Sequence, residues 1–295
     1  MGSIPETIRR GIRGVTEFLE MIKFEHTLFA LPFAFVSLLM ATNGHPRGPL
    51  VFWVVLAMVG ARTGAMGFNR VIDADIDREN PRTRNRAIPA GRISKGLAVG
   101  ISIAAFGLMV LSAAMLNTAC LLASPLAIAV LVGYSYTKRY TSYSHLVLGF
   151  AISGAPLGAW LAATGTLSGT AVLLSLAVLC WIAGFDILYS LQDVDFDRKH
   201  RLYSIPATFG NGPALWIARF LHLLSVLFLA DIPQTHPLGL LYDIGVATVA
   251  GMLIYEHRLV SPRDLSRLTT AFFTINGLIS MMFLAFVAAD IWLKP

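Results

Sequence analysis

The sequence predicts an all-helical integral membrane protein that crosses the bilayer nine times. Of its 295 residues, 56% are hydrophobic and only 14% are charged, whereas a soluble domain carries roughly 25% charged residues. The apolar residues fall into nine segments, each close to the roughly 20 residues that a spanning helix needs. Basic residues are concentrated in alternate connections between these segments, as expected of a chain that crosses a membrane repeatedly.

The nine apolar segments are separated by short sequences rich in turn-forming or charged residues. Residues 43–49 read NGHPRGP and residues 231–237 read DIPQTHP, and both are typical of turns. Only a short polar spot around Asn117 divides the third segment from the fourth. The predicted spans lie near residues 25–42, 50–70, 96–114, 116–135, 145–163, 171–191, 212–230, 238–256 and 270–291.

The basic residues predict which side of the membrane each connection faces. Most of the 23 Lys and Arg residues lie in the N-terminal segment and in the even-numbered connections, and the odd-numbered connections contain only Arg47. Cytoplasmic connections carry an excess of Lys and Arg. We therefore expect a cytoplasmic N-terminus and cytoplasmic even-numbered connections. A location in the bacterial inner membrane is a separate expectation.

Residues 1–23 precede the first span and have a different pattern. Apolar residues recur there at three- and four-residue spacing, at Ile8, Ile12, Val15, Leu19 and Ile22. This pattern predicts a helix that lies in the membrane interface, with an ordinary solvated helix as the alternative. The whole chain, residues 1–295, is predicted to form one transmembrane domain.

Two similar acidic hexapeptides follow even-numbered spans and are therefore expected at the same cytoplasmic face. They are DADIDR at 73–78 and DVDFDR at 193–198. Side chains four residues apart share one face of a helix, and side chains two apart do not. The predicted facing pairs are Asp73 with Asp77 and Asp193 with Asp197. The middle aspartates, Asp75 and Asp195, should point elsewhere and be dispensable by comparison.

Polar residues continue each acidic pair into the membrane. On the second span, Asn69 lies four residues before the first pair, and Arg62 lies seven before Asn69. On the sixth span, Tyr189 and Asp186 lie four and seven residues before the second pair. A charged residue inside a span costs about 3 kcal/mol on insertion scales and commonly marks a functional site. For Arg62 and Asp186, a structural ion pair is the alternative.

Two facing carboxylate pairs must recruit cations, because like charges this close repel one another. Hard oxygen ligands suit Mg²⁺, which is typically held by one or two carboxylates together with substrate phosphates. A calcium-binding EF-hand loop is excluded, since Arg78 and Arg198 stand where that loop needs Gly. We therefore predict a Mg²⁺ site; two solvated helix ends with chance acidic runs are the alternative.

The connection after the first acidic pair is rich in arginine, and it reads RENPRTRNRAIPAGRIS at 78–94. Guanidinium groups bind phosphate esters bidentately, and they would repel bare Mg²⁺. Carboxylates and arginines at one face of an apolar bundle therefore predict a metal-bridged lipid diphosphate as the ligand.

These motifs resemble those of the UbiA superfamily of intramembrane prenyltransferases. The family's first signature, Asn-Asp-x-x-Asp-x-x-x-Asp, corresponds to NRVIDADID at 69–77, with Arg70 in place of the second-position Asp. Its second signature, Asp-x-x-x-Asp, corresponds to DVDFD at 193–197. The stretches NPRTRNRAIPAGRIS at 80–94 and YSYTKRYT at 134–141 are also similar to family elements. The resemblance covers nearly the whole chain.

The resemblance implies a bundle of nine spans around a central cavity, in which Mg²⁺ holds an isoprenoid diphosphate. The implied metal ligands are Asn69, Asp73, Asp77, Asp193 and Asp197, and the candidate diphosphate-binding residues are Arg82, Arg86, Lys138 and Arg139. The candidate catalytic residues are Asp193, Asp186 and Arg62, of which Asp193 or Asp186 would accept the ring proton. The candidate pocket residues are Tyr134, Tyr136, Tyr189 and His26. For the tyrosines, interface anchoring is the alternative, and for His26 an ordinary polar role.

The implied activity is transfer of a polyprenyl group from its diphosphate to an aromatic carboxylic acid, 4-hydroxybenzoate or dihydroxynaphthoate, in ubiquinone or menaquinone biosynthesis. Residues 22–34, IKFEHTLFALPFA, are similar to the 4-hydroxybenzoate polyprenyltransferase subgroup but lack its Asp-Lys/Arg-Pro element, so the acceptor stays open. Arg62 would contact either the acceptor carboxylate or the diphosphate. The alternatives are haem, chlorophyllide or glycerol phosphate lipid as acceptor, and a cation transporter. Beyond its substrates and the bilayer, neither a nucleic acid nor a protein partner is expected.

Overall fold

The structure is a computed structural model that describes residues 14, 16–21, 30–261, 265–268 and 274–294. Within these ranges the chain is helical and contains no β-strand. The α-helices in chain order are α1 (Leu31–Ala41), α2 (Gly48–Ile72), α3 (Ala74–Glu79), α4 (Lys95–Leu116), α5 (Thr118–Thr137), α6 (Ser144–Thr164), α7 (Gly169–Ser190), α8 (Val194–Lys199), α9 (Ile205–Phe209), α10 (Asn211–Asp231), α11 (Leu240–Leu259) and α12 (Asn276–Leu293). Short 3-10 turns, Leu191–Asp193 and Ile232–Gln234, extend α7 and α10.

Seven of the described helices are long and apolar enough to cross a membrane. They are α2, α4, α5, α6, α7, α10 and α12, two of them with their extensions. Helix α1 is apolar but has only 11 described residues, and α11 has 20 residues but is less apolar than the seven. The all-helical membrane fold is thus confirmed, and the number of nine spans stays a prediction.

Side-chain caps explain where several helices begin. Asn117, the only polar interruption between the third and fourth apolar segments, accepts a hydrogen bond from the Cys120 backbone N–H and thereby starts α5. Its side-chain amide also donates to the carbonyls of Leu161 and Ala162 on α6. Such an N-cap stabilises a helix by about 1 kcal/mol. One asparagine therefore separates two spans and ties the second of them to α6.

Helix α7 is the centre of the bundle. In its most apolar window 67% of the residues are buried, compared with 17% to 39% in the other six spanning helices. Its Trp181 packs among Phe33, Tyr242 and Phe283 from three other helices. Gly149 lets α6 lie directly against α7, because a Cβ there would collide with the Leu179 carbonyl. The sixth predicted span, which carries the second acidic motif, therefore runs through the core.

The described part of the N-terminal segment packs onto the cytoplasmic connection predicted after α2. Residues 16–21 are helical, and Phe18 and Met21 are buried in a cluster with Ala87 and Ile88. Glu17 forms a salt bridge of 2.9 Å with Arg92. Most of the predicted apolar face of residues 1–23 lies outside the described residues, so the interfacial helix stays a prediction.

Candidate active site

Both acidic motifs begin where a long helix breaks. Helix α2 ends at Asp73, whose backbone angles are φ −90° and ψ 1°. The extension of α7 ends in the same way at Asp193, with φ −104° and ψ 4°. Each break is followed by a helix of 6 residues, α3 or α8. The two motifs therefore share the same backbone geometry. The sequence predicted one continuous helix face through each motif and did not predict the breaks.

Despite these breaks, the side chains of the aspartates point in the predicted directions. Asp77 and Asp197 are buried, Asp193 is 7% exposed, and the Asp77 N–H still bonds the Asp73 carbonyl at 2.7 Å. The middle residues Asp75 and Asp195 are exposed. Asp75 instead bonds Lys95 at 3.0 Å, and this hydrogen bond holds the pKa of Asp75 below its usual value. Three of the outer aspartates are therefore buried and Asp73 is partly buried, whereas the middle ones are exposed.

Each of the four outer aspartates forms an ion pair with one of the four predicted diphosphate-binding residues. The pairs and their nitrogen–oxygen distances are Asp73–Arg139 at 3.1 Å, Asp77–Arg86 at 2.7 Å, Asp193–Arg82 at 2.6 Å and Asp197–Lys138 at 2.8 Å. We call these eight residues the paired-charge site. The formal charges of these eight residues balance, and the Asp193–Arg82 pair joins residues that are 111 positions apart in sequence.

The ion pairs have different geometries. Arg82 binds Asp193 in a fork, with Nε 3.1 Å from Oδ1 and a terminal nitrogen 2.6 Å from Oδ2. One nitrogen of Arg86 lies within 2.8 Å of both Asp77 oxygens. Lys138 Nζ lies 2.8 Å from Asp197 Oδ1, a buried oxygen whose only near charge partner in the site is this ammonium. Charge-assisted pairs of the forked type are strong and fix orientation.

Neutral side chains hold the acids in place. Asn69 donates to Asp73 Oδ2 at 3.0 Å, as its position four residues earlier predicts. Asn80 donates to Asp193 at 3.4 Å, and Ser204 donates to Asp197 Oδ2 at 2.9 Å. Sequence reasoning missed Asn80 and Ser204, although both lie in the polar connections that follow the two motifs. The Asn80 contact thus joins the connection after the first motif to the second motif, and the Ser204 contact stays within the second motif.

Burial and mutual repulsion make Asp73 a weak acid for its type. Burial, followed by the negative charge of Asp77, raises the pKa of Asp73 to about 6, against the opposing effect of Arg139. A bound cation stabilises the ionised form of both carboxylates, because it offsets the repulsion between them. The electrostatics therefore favour a divalent ion at the first motif.

The donor chemistry of the site fits Mg²⁺. Carboxylate and amide oxygens from Asn69 and the four outer aspartates are the ligands that this hard cation prefers. Within the described ranges, no three acidic, histidine or cysteine side chains converge closely enough to hold a metal ion, and each outer aspartate is turned to its basic partner instead. Coordination by both motifs therefore requires these partners to move to another ligand.

Arg70 occupies the position at which the family signature has Asp. It lies within electrostatic range of Asp73, Asp77 and Arg86. At this point the site thus carries an additional positive charge in place of an additional carboxylate. This arrangement is consistent with leaving position 70 out of the metal ligands and with an anion nearby.

The predicted polar stripe on α7 is present. Between Cys180 and Leu191, every residue is buried except Asp186 and Tyr189. The Tyr189 hydroxyl accepts a hydrogen bond from Arg82 at 3.3 Å, and the Arg82 guanidinium lies 5.5 Å from the centre of the ring. The stripe therefore connects the paired-charge site with Asp186, deeper in the span.

The two predicted pocket tyrosines of α5 lie in different surroundings. Tyr134 lies within electrostatic range of Arg70 and Asp73 on one side and of Asp186 on the other. Arg62 in turn has Tyr134 as its electrostatic neighbour. Tyr136 is 42% exposed and contacts the site through Arg139, whose guanidinium lies 5.5 Å from its ring centre. His26 lies outside the described residues.

A contact that the sequence did not reveal supports Asp186. The Nδ1 atom of His145, at the start of α6, lies 2.6 Å from Asp186 Oδ2. Residues 145 and 186 are far apart in sequence, and no motif marks His145. Only the pairing of α6 with α7 brings these two side chains together.

Comparisons with known proteins agree with the fold and show the family. The profile of the UbiA prenyltransferase family matches residues 30–287. A 4-hydroxybenzoate octaprenyltransferase from Chromohalobacter salexigens is 30% identical over 291 residues, which is 96% of this chain and 95% of that protein. A second, from Pseudomonas fluorescens Pf0-1, is 33% identical over 237 residues, covering 80% and 79%.

Solved structures show the same architecture. The apo structure of a UbiA homologue from Aeropyrum pernix K1 has a TM-score of 0.82 and 34% identity, covering 90% of this chain and 98% of that one. A UbiA homologue from Archaeoglobus fulgidus bound to DMAPP and Mg²⁺ has a TM-score of 0.75 at 21% identity, covering 93% and 99%. With its apolar helices and its paired motifs, the chain belongs to the UbiA prenyltransferase family and is an integral membrane prenyltransferase.

Proposed function

We propose that this prenyltransferase moves a polyprenyl group from a polyprenyl diphosphate to an aromatic carboxylic acid, with Mg²⁺, in quinone biosynthesis. Two groups of similar proteins support this. The relatives from Chromohalobacter and Pseudomonas are 4-hydroxybenzoate octaprenyltransferases. Homologues from Archaeoglobus fulgidus bind DMAPP or GPP together with Mg²⁺. We take 4-hydroxybenzoate as the first candidate acceptor and dihydroxynaphthoate as the second.

The observation that carries the proposal is the charge balance of the paired-charge site. A diphosphate alone would draw the basic residues away from the aspartates and leave buried carboxylates without partners. Metal alone would draw the aspartates away from the basic residues and leave the arginines and the lysine without partners. Leaving a buried charge unpaired costs several kcal/mol. Metal and diphosphate that bind together supply a new partner to both halves, so the site favours the complex of the two over either one.

Each half of the paired-charge site then has its own task. The four outer aspartates and Asn69 would hold Mg²⁺, and Arg82, Arg86, Lys138 and Arg139 would hold the diphosphate oxygens. When bound, Mg²⁺ neutralises charge that develops on the leaving diphosphate. The forked guanidinium of Arg82 lies beside Tyr189, so a diphosphate held there places the prenyl chain next to the polar stripe of α7.

The reaction requires one bond to break, one to form and one proton to leave. The allylic carbon–oxygen bond breaks, and the diphosphate keeps the electron pair. Tyr134 and Tyr189 present aromatic faces that stabilise allylic positive charge, and the apolar bundle excludes water. The acceptor ring then forms the new carbon–carbon bond and loses its ring proton to a carboxylate. We assign this proton to Asp186, because Asp193 would hold Mg²⁺ when both substrates are bound.

Arg62 is suited to the acceptor carboxylate. It lies three helical turns before Asp73 on α2, roughly 16 Å along the axis. Helical side chains also lean toward the N-terminus, which takes the Arg62 guanidinium farther from the motif. A diphosphate held by the paired-charge site would therefore lie out of its reach, whereas an aromatic acid between Asp186 and Arg62 would present its carboxylate to the guanidinium.

A product assay tests the proposed function. We would incubate the purified protein with Mg²⁺, geranyl or longer prenyl diphosphates, and labelled acceptors: 4-hydroxybenzoate, dihydroxynaphthoate, haem, chlorophyllide and a glycerol phosphate lipid. A prenylated 4-hydroxybenzoate, or failing that a prenylated naphthoate, is the expected product. If lipid diphosphate binds and neither aromatic acid is prenylated, the proposal is wrong.

The proposed location follows from the basic connections. The paired-charge site lies where α2 and α7 end. Two of its four cations, Arg82 and Arg86, lie in the connection that follows α2, and the other two, Lys138 and Arg139, lie in the connection that follows α5. The positive-inside rule places these ends in the cytoplasm, and bacterial relatives favour the inner membrane. We propose one transmembrane domain over residues 1–295, with its substrates and the bilayer as partners.

A further inference from the structure

Asp186 has a buried histidine behind it, and the proposed function gives this histidine no task. We propose that His145 is a positioning residue that fixes Asp186 in the orientation needed to accept the ring proton of the aromatic substrate. The inference rests on the proposed function and deepens it, since His145 would act through Asp186 without contact to either substrate.

The hydrogen bonds of His145 define its tautomer. The Ile205 backbone N–H lies 3.3 Å from Nε2 and can only donate, so Nε2 accepts and carries no hydrogen. A neutral imidazole then carries its hydrogen on Nδ1. This Nδ1–H donates to Asp186 Oδ2 at 2.6 Å. The fold therefore aims a fixed donor at one oxygen of the carboxylate.

The two side chains differ in exposure as this role requires. His145 is 3% exposed and is enclosed between α6, α7 and α9. The side chain of Asp186 keeps 24% of its surface exposed and belongs, with Tyr189, to the polar stripe of an otherwise buried stretch. One oxygen is thus held by the protein, while part of the carboxylate stays exposed at the polar stripe.

This geometry supports proton transfer in a specific step. Once the carbon–carbon bond has formed, the ring carbon carries both the prenyl group and its original hydrogen. The electron pair of that carbon–hydrogen bond returns to the ring, and the proton moves to Asp186. A carboxylate that rotates freely would present its oxygens to the ring only part of the time, so the His145 donor raises the fraction of competent enzyme.

A purely structural role for His145 is the competing explanation. Ile205 is adjacent to Ser204, and Ser204 bonds Asp197 in the paired-charge site. His145 could therefore serve only to hold this segment in place. The two roles use different nitrogens: Nε2 holds the segment, and Nδ1 holds Asp186. A variant that keeps the hydrogen bond of one nitrogen and loses that of the other therefore distinguishes the two roles.

Two substitutions make this separation. His145→Asn places an amide N–H close to the position of Nδ1 and keeps the donor to Asp186. His145→Gln places its amide near Nε2, keeps an acceptor for Ile205 and loses that donor. We expect kcat to fall about 10- to 100-fold in His145→Gln, the size of effect known for hydrogen bonds that orient metal ligands, with KM for both substrates unchanged. His145→Asn should recover most of kcat.

Ring-deuterated acceptor provides a readout that a structural role would not change. If deprotonation becomes slow, His145→Gln should show a larger primary isotope effect on kcat than the wild type, and His145→Asn should not. As a matched control we would use His222→Gln, because His222 is also buried but bonds the Trp181 carbonyl on the other side of α7. This control should keep the wild-type kcat and isotope effect.

The outcomes distinguish the inference from the proposed function. A wild type that prenylates no aromatic acid refutes the function itself. If the wild type is active and His145→Gln matches it, or if Asn and Gln lose activity equally with no change in isotope effect, only the His145 inference fails. Should the His145 variants not fold, Asp186→Asn still decides, because it keeps the shape of Asp186. Unchanged kcat in Asp186→Asn would overturn the inference.

Discussion

Replacing Asp73 or Asp193 by alanine is expected to lower kcat by at least about 100- to 1,000-fold, the effect of removing one group that stabilises developing charge. Each residue is the first aspartate of its motif, lies at a helix break and is paired with a basic residue. Without either one, Mg²⁺ would lose a ligand, and the freed guanidinium would lose its partner. Product formation by purified variants at saturating Mg²⁺ measures the effect.

The middle aspartates are the matched controls for this prediction. Asp75→Ala and Asp195→Ala remove the same charge from the same hexapeptides, but from exposed positions, and should leave kcat within a few-fold of the wild type. Thermal unfolding in detergent would show whether all four variants remain folded. Full activity in both Asp73→Ala and Asp193→Ala would refute the metal assignment. A loss in Asp75→Ala equal to that in Asp73→Ala would refute the facing of the aspartates.

Arg62→Met is expected to raise KM for the aromatic acid about 10- to 100-fold, which corresponds to the loss of a hydrogen-bonded contact with a charged group. KM for the prenyl diphosphate should stay unchanged, because Arg62 lies three turns away from the paired-charge site. Steady-state kinetics with each substrate varied in turn would separate the two effects.

The control for Arg62 is an acceptor without the carboxylate. A phenol that lacks this group should react poorly with the wild type and show no further loss with Arg62→Met. If the substitution instead raises KM for the diphosphate and leaves the acid unaffected, Arg62 belongs to the diphosphate site and our assignment of its ligand is wrong.

Periodicity and charge in the sequence predicted the parts of the site that lie on one helix. Spacing by four placed Asn69 on the face of Asp73, and the hydrogen bond between them is present. Spacing by two separated Asp75 from its neighbours, and it is exposed. These features depend on local helix geometry alone, and this geometry is the same in any fold that contains the helix.

Features that depend on packing between distant segments could not be predicted in this way. The sequence predicted the four aspartates and the four basic residues of the site, but it did not show that Asp193 pairs with Arg82 or that Asp197 pairs with Lys138. The backbone breaks at Asp73 and Asp193 were also missed. Polar residues spaced by four look the same in sequence whether the helix continues through them or ends there. His145 became visible only when α6 and α7 were placed side by side.

The central claim of this account is that the two motifs form one site, which binds metal and diphosphate together. Titration calorimetry with a prenyl thiolodiphosphate, a substrate analogue that the enzyme cleaves poorly, tests it most directly when the titration is run with and without Mg²⁺. We expect tight binding only with Mg²⁺, and its loss in both Asp73→Asn and Asp193→Asn. Equally tight binding after removal of Mg²⁺ with EDTA, or unchanged Mg²⁺-dependent binding in both variants, would contradict the claim.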